Sequence, residues 1–310
     1  MKKSLVALAA LVATGAFAQV TITGGVSSGF TSINGAKSVQ GIDEVNSNSF
    51  IFTASEDLGG GMKAKAVIQQ RLTAKNVDKE SGDLYVNLSG SFGAVQMGKY
   101  TFLSHSGYNP FASRTVTSTG GSASAINGTD YNASYTTPTM AGFSASANIA
   151  QTGTAGDQTS VAYKVNYANG PLTVQAGIST AALADAKRTT DIASKTTSFG
   201  AVYDAGMAKL YVANFSRAAG TTGATAKNEM DSTSYGIAVP MGALTFRAGV
   251  LDSTDKGANA DTTILDRTSM GVDYALSKRT TFTAELANQK VAKDASANQR
   301  NYFVGLSHTF

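Results

Sequence analysis

The sequence predicts an all-β fold, a transmembrane antiparallel β-barrel of 16 strands. Three observations predict it. Apolar residues recur with a period of two along most of the chain. The connections between these segments alternate between very short and long. The composition is odd for a soluble protein: only 15% of residues are charged, against about a quarter in a typical soluble domain, with 32 Gly, 12 Tyr, 14 Phe and neither Cys nor Trp.

The first residues read as a targeting segment. Met1, Lys2 and Lys3 form a basic start, an apolar stretch runs from Leu5 to Val12, and Ala16-Phe17-Ala18 supplies a small–x–small cleavage pattern. The apolar stretch is too short for a membrane-spanning helix, which needs ~20 residues. The expected signal peptide is 1–18, cut after Ala18, leaving one domain over 19–310. No Pro-rich or charged linker divides that remainder. Removing Lys2 and Lys3 takes the formal charge from +4 to +2. The basic residues are scattered, so nothing marks a nucleic-acid surface. Absence of Cys removes disulfide scaffolds and thiolate metal sites.

The strands follow in order. Val20, Ile22, Val26 and Phe30 alternate with Thr21, Thr23, Ser27 and Thr31. Farther on, Phe143, Ala145, Ala147 and Ile149 alternate with Ser144, Ser146 and Asn148. Leu244, Phe246, Ala248 and Val250 oppose Thr245, Arg247 and Gly249, and Tyr302, Val304, Leu306, His308 and Phe310 oppose Phe303, Gly305, Ser307 and Thr309. Successive side chains of a strand point to opposite faces, so each segment has one apolar face and one small or polar face. The segments are 20–32, 48–58, 62–73, 83–90, 92–100, 130–137, 143–151, 159–168, 172–180, 196–204, 208–217, 232–240, 243–251, 266–276, 280–288 and 299–310. The segment 92–100 carries the weakest pattern, and counts of 14 or 18 fit the same periodicity.

The connections sort into two kinds. Gly59-Gly60-Gly61, Pro138 to Gly142, Asn169-Gly170-Pro171, Ala205-Gly206-Met207, Pro240-Met241-Gly242 and Ser277-Lys278-Arg279 are short. Asn34 to Ser47, Ala74 to Gly82, Ala181 to Lys195, Ala218 to Asp231, Asp252 to Leu265 and Gln289 to Asn298 are long and polar. Short periplasmic turns with long external loops are the pattern of outer-membrane barrels. A soluble sandwich would leave a large apolar face uncovered, and a solenoid would show a fixed short repeat. In a bilayer the apolar face meets lipid, and closure removes the strand edges.

Four stretches carry a resemblance: FIFTASEDLGGGMKA over 50–64, LYVNLSGSFGAVQMGK over 84–99, Tyr131 to Tyr135 with Pro138 and Gly142-Phe143, and the terminal YFVGLSHTF over 302–310. Together they resemble the Gram-negative general porins, most closely the trimeric porins of beta-proteobacteria. The resemblance implies an outer-membrane homotrimer in contact with lipid and lipopolysaccharide. It also implies a C-terminal strand, ending at Phe310, read by the barrel-assembly machinery. The function implied is passive diffusion of ions and small hydrophilic solutes through a water-filled pore, with no cofactor. The longest connection, Thr101 to Thr129, matches the third loop that this family folds into the lumen.

Selectivity in such a pore comes from charges at its narrowest section. The family pattern sets wall arginines against acidic loop residues. One of those arginines matches Lys99; others fall at Ser49 and near Gly128, where the charge is missing. The loop has no Asp or Glu; it holds His105 and Arg114, and Asp130 follows it. Lys63, Lys65 and Arg71 fall on the polar face by parity. The expected constriction residues are Lys99, Arg114, Lys65, Arg71, Lys63, Asp130 and His105, and the basic balance suggests anion preference, for small anions and hydrophilic solutes. Lys164, Arg247 and Glu285 also fall on the polar face, where the reading treats them as ordinary solvated residues.

Other functions fit less well. A barrel hydrolase needs a nucleophile or water activated by His with an acidic partner, and the chain has only His105 and His308. No Gly-rich phosphate loop precedes a helix. A non-conducting adhesin or structural barrel is the alternative; single-channel conductance separates it from a porin.

Overall fold

A computed structural model describes residues 19–33, 39–42, 48–72, 81–104, 106–111, 125–126, 131–151, 159–181, 194–219, 229–256, 262–291 and 298–310. The expected signal peptide, 1–18, lies outside them. Sixteen strands cross the sheet: β1 (Gln19–Ile33), β2 (Ser49–Gly59), β3 (Met62–Arg71), β4 (Ser81–Gly90), β5 (Gly93–Lys99), β6 (Tyr131–Thr136), β7 (Phe143–Gln151) and β8 (Thr159–Asn169) come first. Then come β9 (Leu172–Ala181), β10 (Ser194–Asp204), β11 (Lys209–Ala219), β12 (Glu229–Met241), β13 (Leu244–Lys256), β14 (Thr262–Ala275), β15 (Thr280–Val291) and β16 (Gln299–Thr309).

Every strand pairs antiparallel with its neighbours in chain order, and β16 pairs with β1 over Asn301–Thr309 and Gly25–Ile33. The sheet is therefore closed, and 14 or 18 strands are ruled out. Gly24 and Phe310 exchange two backbone hydrogen bonds of 3.1 Å at the seam. Closure matters because lipid offers no partner to an open strand edge. The short segment Val39–Ile42 also pairs with β1, at Ser28–Thr31. Among the described residues no helix is long and apolar enough to cross a membrane.

Directly opposed residues share a face of the sheet, so the register assigns each side chain. Phe52 faces Ile68, and Ile68 faces Leu84. These belong to the outer face, where Phe30 is 65%, Val86 60% and Met270 56% exposed. On the inner face Ser269 and Thr283 are 0% and Asn148 1% exposed. This is a soluble protein turned inside out: large apolar groups outside, small hydroxyls and amides packed within. One apolar exception proves informative. Phe303 is buried on the inner face, its ring over Gly29 and Gly305, where an added Cβ would approach it to 2.7 and 2.4 Å.

The strands run farther than the periodicity indicates. Residues 229–231, 252–256, 262–265 and 289–291 continue the ladders of β12 to β15, although they read as loop. The reason is physical. Alternation of apolar and polar residues reports contact with lipid, and it stops where both faces meet water. Backbone pairing does not need that contact, and Thr, Ser and Asp sustain it above the membrane.

The turns at the other end are short and glycine-rich. Gly59, Gly60 and Gly61 all have positive φ, at 79°, 61° and 78°, a run that only glycine adopts cheaply. The Gly59 N–H donates to Asp57 Oδ1 at 2.9 Å, closing the bend.

Placing Arg at Met270, on the outer face, should cost about 2–4 kcal/mol of folding free energy, whereas Asn166→Arg on the inner face should cost a fraction of that. Urea titration of refolding into lipid vesicles checks the difference.

Candidate functional site

The long connection after β5 turns into the barrel at once. The Tyr100 hydroxyl donates to Ser134 Oγ at 2.8 Å, with Asn148 Oδ1 at 3.1 Å, and its ring meets Tyr85 edge-on at 5.8 Å. Asn132 Nδ2 donates to the Tyr100 carbonyl at 3.3 Å. Phe102 and Leu103 are buried behind it. A single 3-10 turn, Ser106–Tyr108, follows, and then an Asx turn in which Phe111 N–H donates to Asn109 Oδ1 at 2.8 Å. Within this connection Leu103–Ser104 pairs with Ala125–Ile126.

The wall is cut to receive this segment. Glycines stand mid-strand on the inner face at four points where the loop touches down. A Cβ on Gly177 would meet Leu103 Cδ1 at 2.3 Å, one on Gly200 would meet Tyr108 Cγ at 2.3 Å, and one on Gly236 would meet Pro110 Cδ at 2.4 Å. Gly271 lies under the Phe111 ring and the Glu285 side chain. Mid-strand glycine weakens a strand and marks close backbone approach, so four such positions in β9, β10, β12 and β14 trace the loop's path across the wall.

Two cations clamp it. Arg247 Nη1 donates to the Pro110 carbonyl at 2.8 Å, while Nη2 donates to Asp273 Oδ1 at 2.9 Å and Glu285 Oε1 at 2.6 Å. Its guanidinium also lies 4.9 Å from the Phe111 ring centroid. Thr283 donates to the same Asp273 oxygen at 2.7 Å. Burial of this charge is tolerable because two carboxylates answer it. At the other end Lys164 Nζ donates to the Phe102 carbonyl at 2.8 Å and lies 4.4 Å from that ring's centroid. The reading of Lys164, Arg247 and Glu285 as solvated residues is thus corrected. They hold the loop, and the four glycines along its path, two of them directly opposite these residues, were the unused signal.

The expected constriction residues divide. Lys63, Lys65 and Arg71 sit on the inner face, opposite Asp57, Ser55 and Ser49 across β2. This stretch of wall lies on the side that the described loop residues leave uncovered. The charge missing at Ser49 is therefore carried one strand over, at Arg71. Two of the three are moderated: Lys63 faces Asp57 directly, and Arg71 lies close enough to Asp83 for their charges to interact. Lys65 stands 5.5 Å from the Tyr85 ring centroid, with Ser55 and Asn87 beside it. Lys99 does not join them. Register sets it opposite Leu84 and on the parity of Met97, the outer face, because Gly98 and Tyr100 on either side of it turn inward. Arg114, Asp130 and His105 lie outside the described residues. Arg217 and Arg267, which the sequence reading passed over, fall on the inner face opposite Thr196 and Gln289.

Gly236→Val should push Pro110 off the wall into the lumen and lower single-channel conductance. Arg247→Ala should strand Glu285 and Asp273 and destabilise the barrel by about 3–5 kcal/mol. Planar-bilayer recording and heat-dependent gel mobility check the two outcomes.

The geometry is that of a barrel narrowed by its own third loop, and comparison with known proteins agrees. A model of the Gram-negative porin family matches residues 4–294. Outer membrane porin protein 32 of Delftia acidovorans is 29% identical over 96% of this chain and 91% of its own length. Major outer membrane protein P.IB of Neisseria meningitidis serogroup B is 31% identical over 57% of this chain and 58% of its own. Among solved structures, an anion-selective porin from Comamonas acidovorans superposes with a TM-score of 0.76 at 22% identity, covering 95% of this chain and 100% of that one. A loop-deleted OmpT of Vibrio cholerae gives 0.77 at 14% identity, covering 94% and 99%. A closed 16-strand barrel, a loop seated across its lumen and a family match over most of its length together establish that this chain belongs to the Gram-negative porin family: it is an outer-membrane diffusion channel.

Proposed function

We propose that this porin passes small anions and hydrophilic solutes, with anions ahead of cations. The observation that carries this is an imbalance. The wall opposite the loop bears Lys63, Lys65 and Arg71, and the loop sequence from Thr101 to Thr129 has no carboxylate to offset them. A low-dielectric wall focuses their field on the ion path. Asp57 and Asp83 weaken the field without reversing it, so the preference is weak to moderate, with Lys65 its main source. The structurally similar porin of Comamonas acidovorans is anion-selective, which supports the same reading here. Arg114, His105 and Asp130 belong to the proposed constriction by sequence position, whereas Lys99, on the outer face, is left out of it.

The assembly proposed is a homotrimer in outer-membrane lipid and lipopolysaccharide, inserted by the barrel-assembly machinery through β16 and Phe310. The 1–18 segment is proposed as its cleaved signal peptide.

Reversal potential across a KCl gradient tests the selectivity; cation preference would refute it. Lys65→Gln combined with Arg71→Gln should move the reversal potential toward zero. The shift should be larger at about 0.1 M salt than at about 1 M, because screening shortens from about 10 Å to about 3 Å. Three equal conductance steps per insertion would report the trimer.

A further inference from the structure

The two cations that clamp the loop differ in one respect. Arg247 is answered by two carboxylates. Lys164 has only neutral partners, the Phe102 carbonyl and ring. Among the described residues no carboxylate pairs with it. A half-buried ammonium is normally paired, because desolvating an unpaired charge is costly.

Its surroundings are polar. Lys164 opens on a cavity of about 110 Å³ between the loop's first turn and the wall of β4 to β6. Asn87, Gln96, Tyr100, Ser134 and Thr136 line it, and none is acidic. Part of the lining is already ordered, with the Tyr100 O–H spent on Ser134 Oγ, whose own O–H is left to donate. Thr136 Oγ1 and Ser146 Oγ share a hydrogen bond of 2.9 Å. An ammonium has three donors, and the Phe102 carbonyl takes one. A continuous register row leads there from the basic wall: Lys63 faces Ser89, Ser89 faces Ala94, Ala94 faces Thr136, Thr136 faces Ser146, and Ser146 faces Lys164.

The geometry points to this cavity as a binding station for a small oxyanion, such as inorganic phosphate, with Lys164 as its counter-charge and the hydroxyls and amides as its neutral donors. This rests on the proposed anion preference but adds a site at which an anion pauses. The cavity's size suits an ion of a few heavy atoms, since a water occupies about 30 Å³ in the liquid. A conducting pore needs such sites to bind weakly enough to release. Binding is therefore expected to be rapid and millimolar, visible as partial current block.

The test is single-channel recording in KCl at constant ionic strength with rising inorganic phosphate, each variant scaled to its own chloride current. Wild-type current should fall and saturate. Lys164→Gln keeps a donor for the Phe102 carbonyl while removing the charge. It should raise the half-blocking concentration by about tenfold, the loss of one charge-assisted hydrogen bond, and Lys164→Arg should largely preserve the block. Thr136→Val, which leaves the loop tether intact, should weaken block severalfold. The inference fails if wild-type current does not saturate, or if Lys164→Gln blocks as wild type does. Should Lys164→Gln not assemble, unchanged block in Thr136→Val overturns it. An anion-selective channel without phosphate block sinks the station alone. A cation-selective channel whose block depends on Lys164 sinks the selectivity reading alone.

Discussion

Everything in this barrel follows from the demand that each backbone amide and carbonyl find a partner where lipid supplies none. An open sheet has two unsatisfied edges; a closed one has none. The sequence meets that demand with sixteen strands whose outer residues are apolar and whose inner residues are small. Small inner residues are as necessary as the apolar outer ones. They leave the volume that water, a loop and passing solutes occupy.

Filling part of that volume with a peptide segment creates a second problem, which is solved locally. The loop buries Phe102, Leu103 and Phe111, and shape and charge fix where they sit. Four glycines recess the wall under Leu103, Tyr108, Pro110 and Phe111. Arg247 grips the Pro110 carbonyl from a carboxylate cradle, and Lys164 grips the Phe102 carbonyl. The contrast between a compensated and an uncompensated cation divides the wall electrically. One side of the loop's seat carries two carboxylates against one guanidinium and is negative on balance, the other is positive.

The barrel was legible in the sequence because alternation along Leu244–Val250 or Tyr302–Phe310 is a direct record of lipid contact. Strand ends were not, since residues such as Thr254 and Ile264 pair in water without any alternation. The site was legible only in part. Parity put Lys63, Lys65 and Arg71 on the inner face, but it could not find Arg247's partners, because Asp273 and Glu285 lie 26 and 38 residues away in the chain. Lys99 was misplaced because family position outweighed parity: Met97 and Lys99 share a face, and Met97 meets lipid. The glycines at 177, 200, 236 and 271 carried a usable signal. Each interrupts the inner face of a strand where nothing about the strand itself requires it.

The seam between Gly24 and Phe310 has a consequence for how the protein matures. The segments that meet there are separated by nearly the whole chain, so the contact that completes the cylinder is among the most non-local the molecule makes. Ordering so long a loop before that contact forms is entropically costly and slow. Until it forms, two rows of unpaired amides stand ready to join any neighbouring strand. Pairing with a strand of another chain therefore competes with closure for as long as those edges stay open.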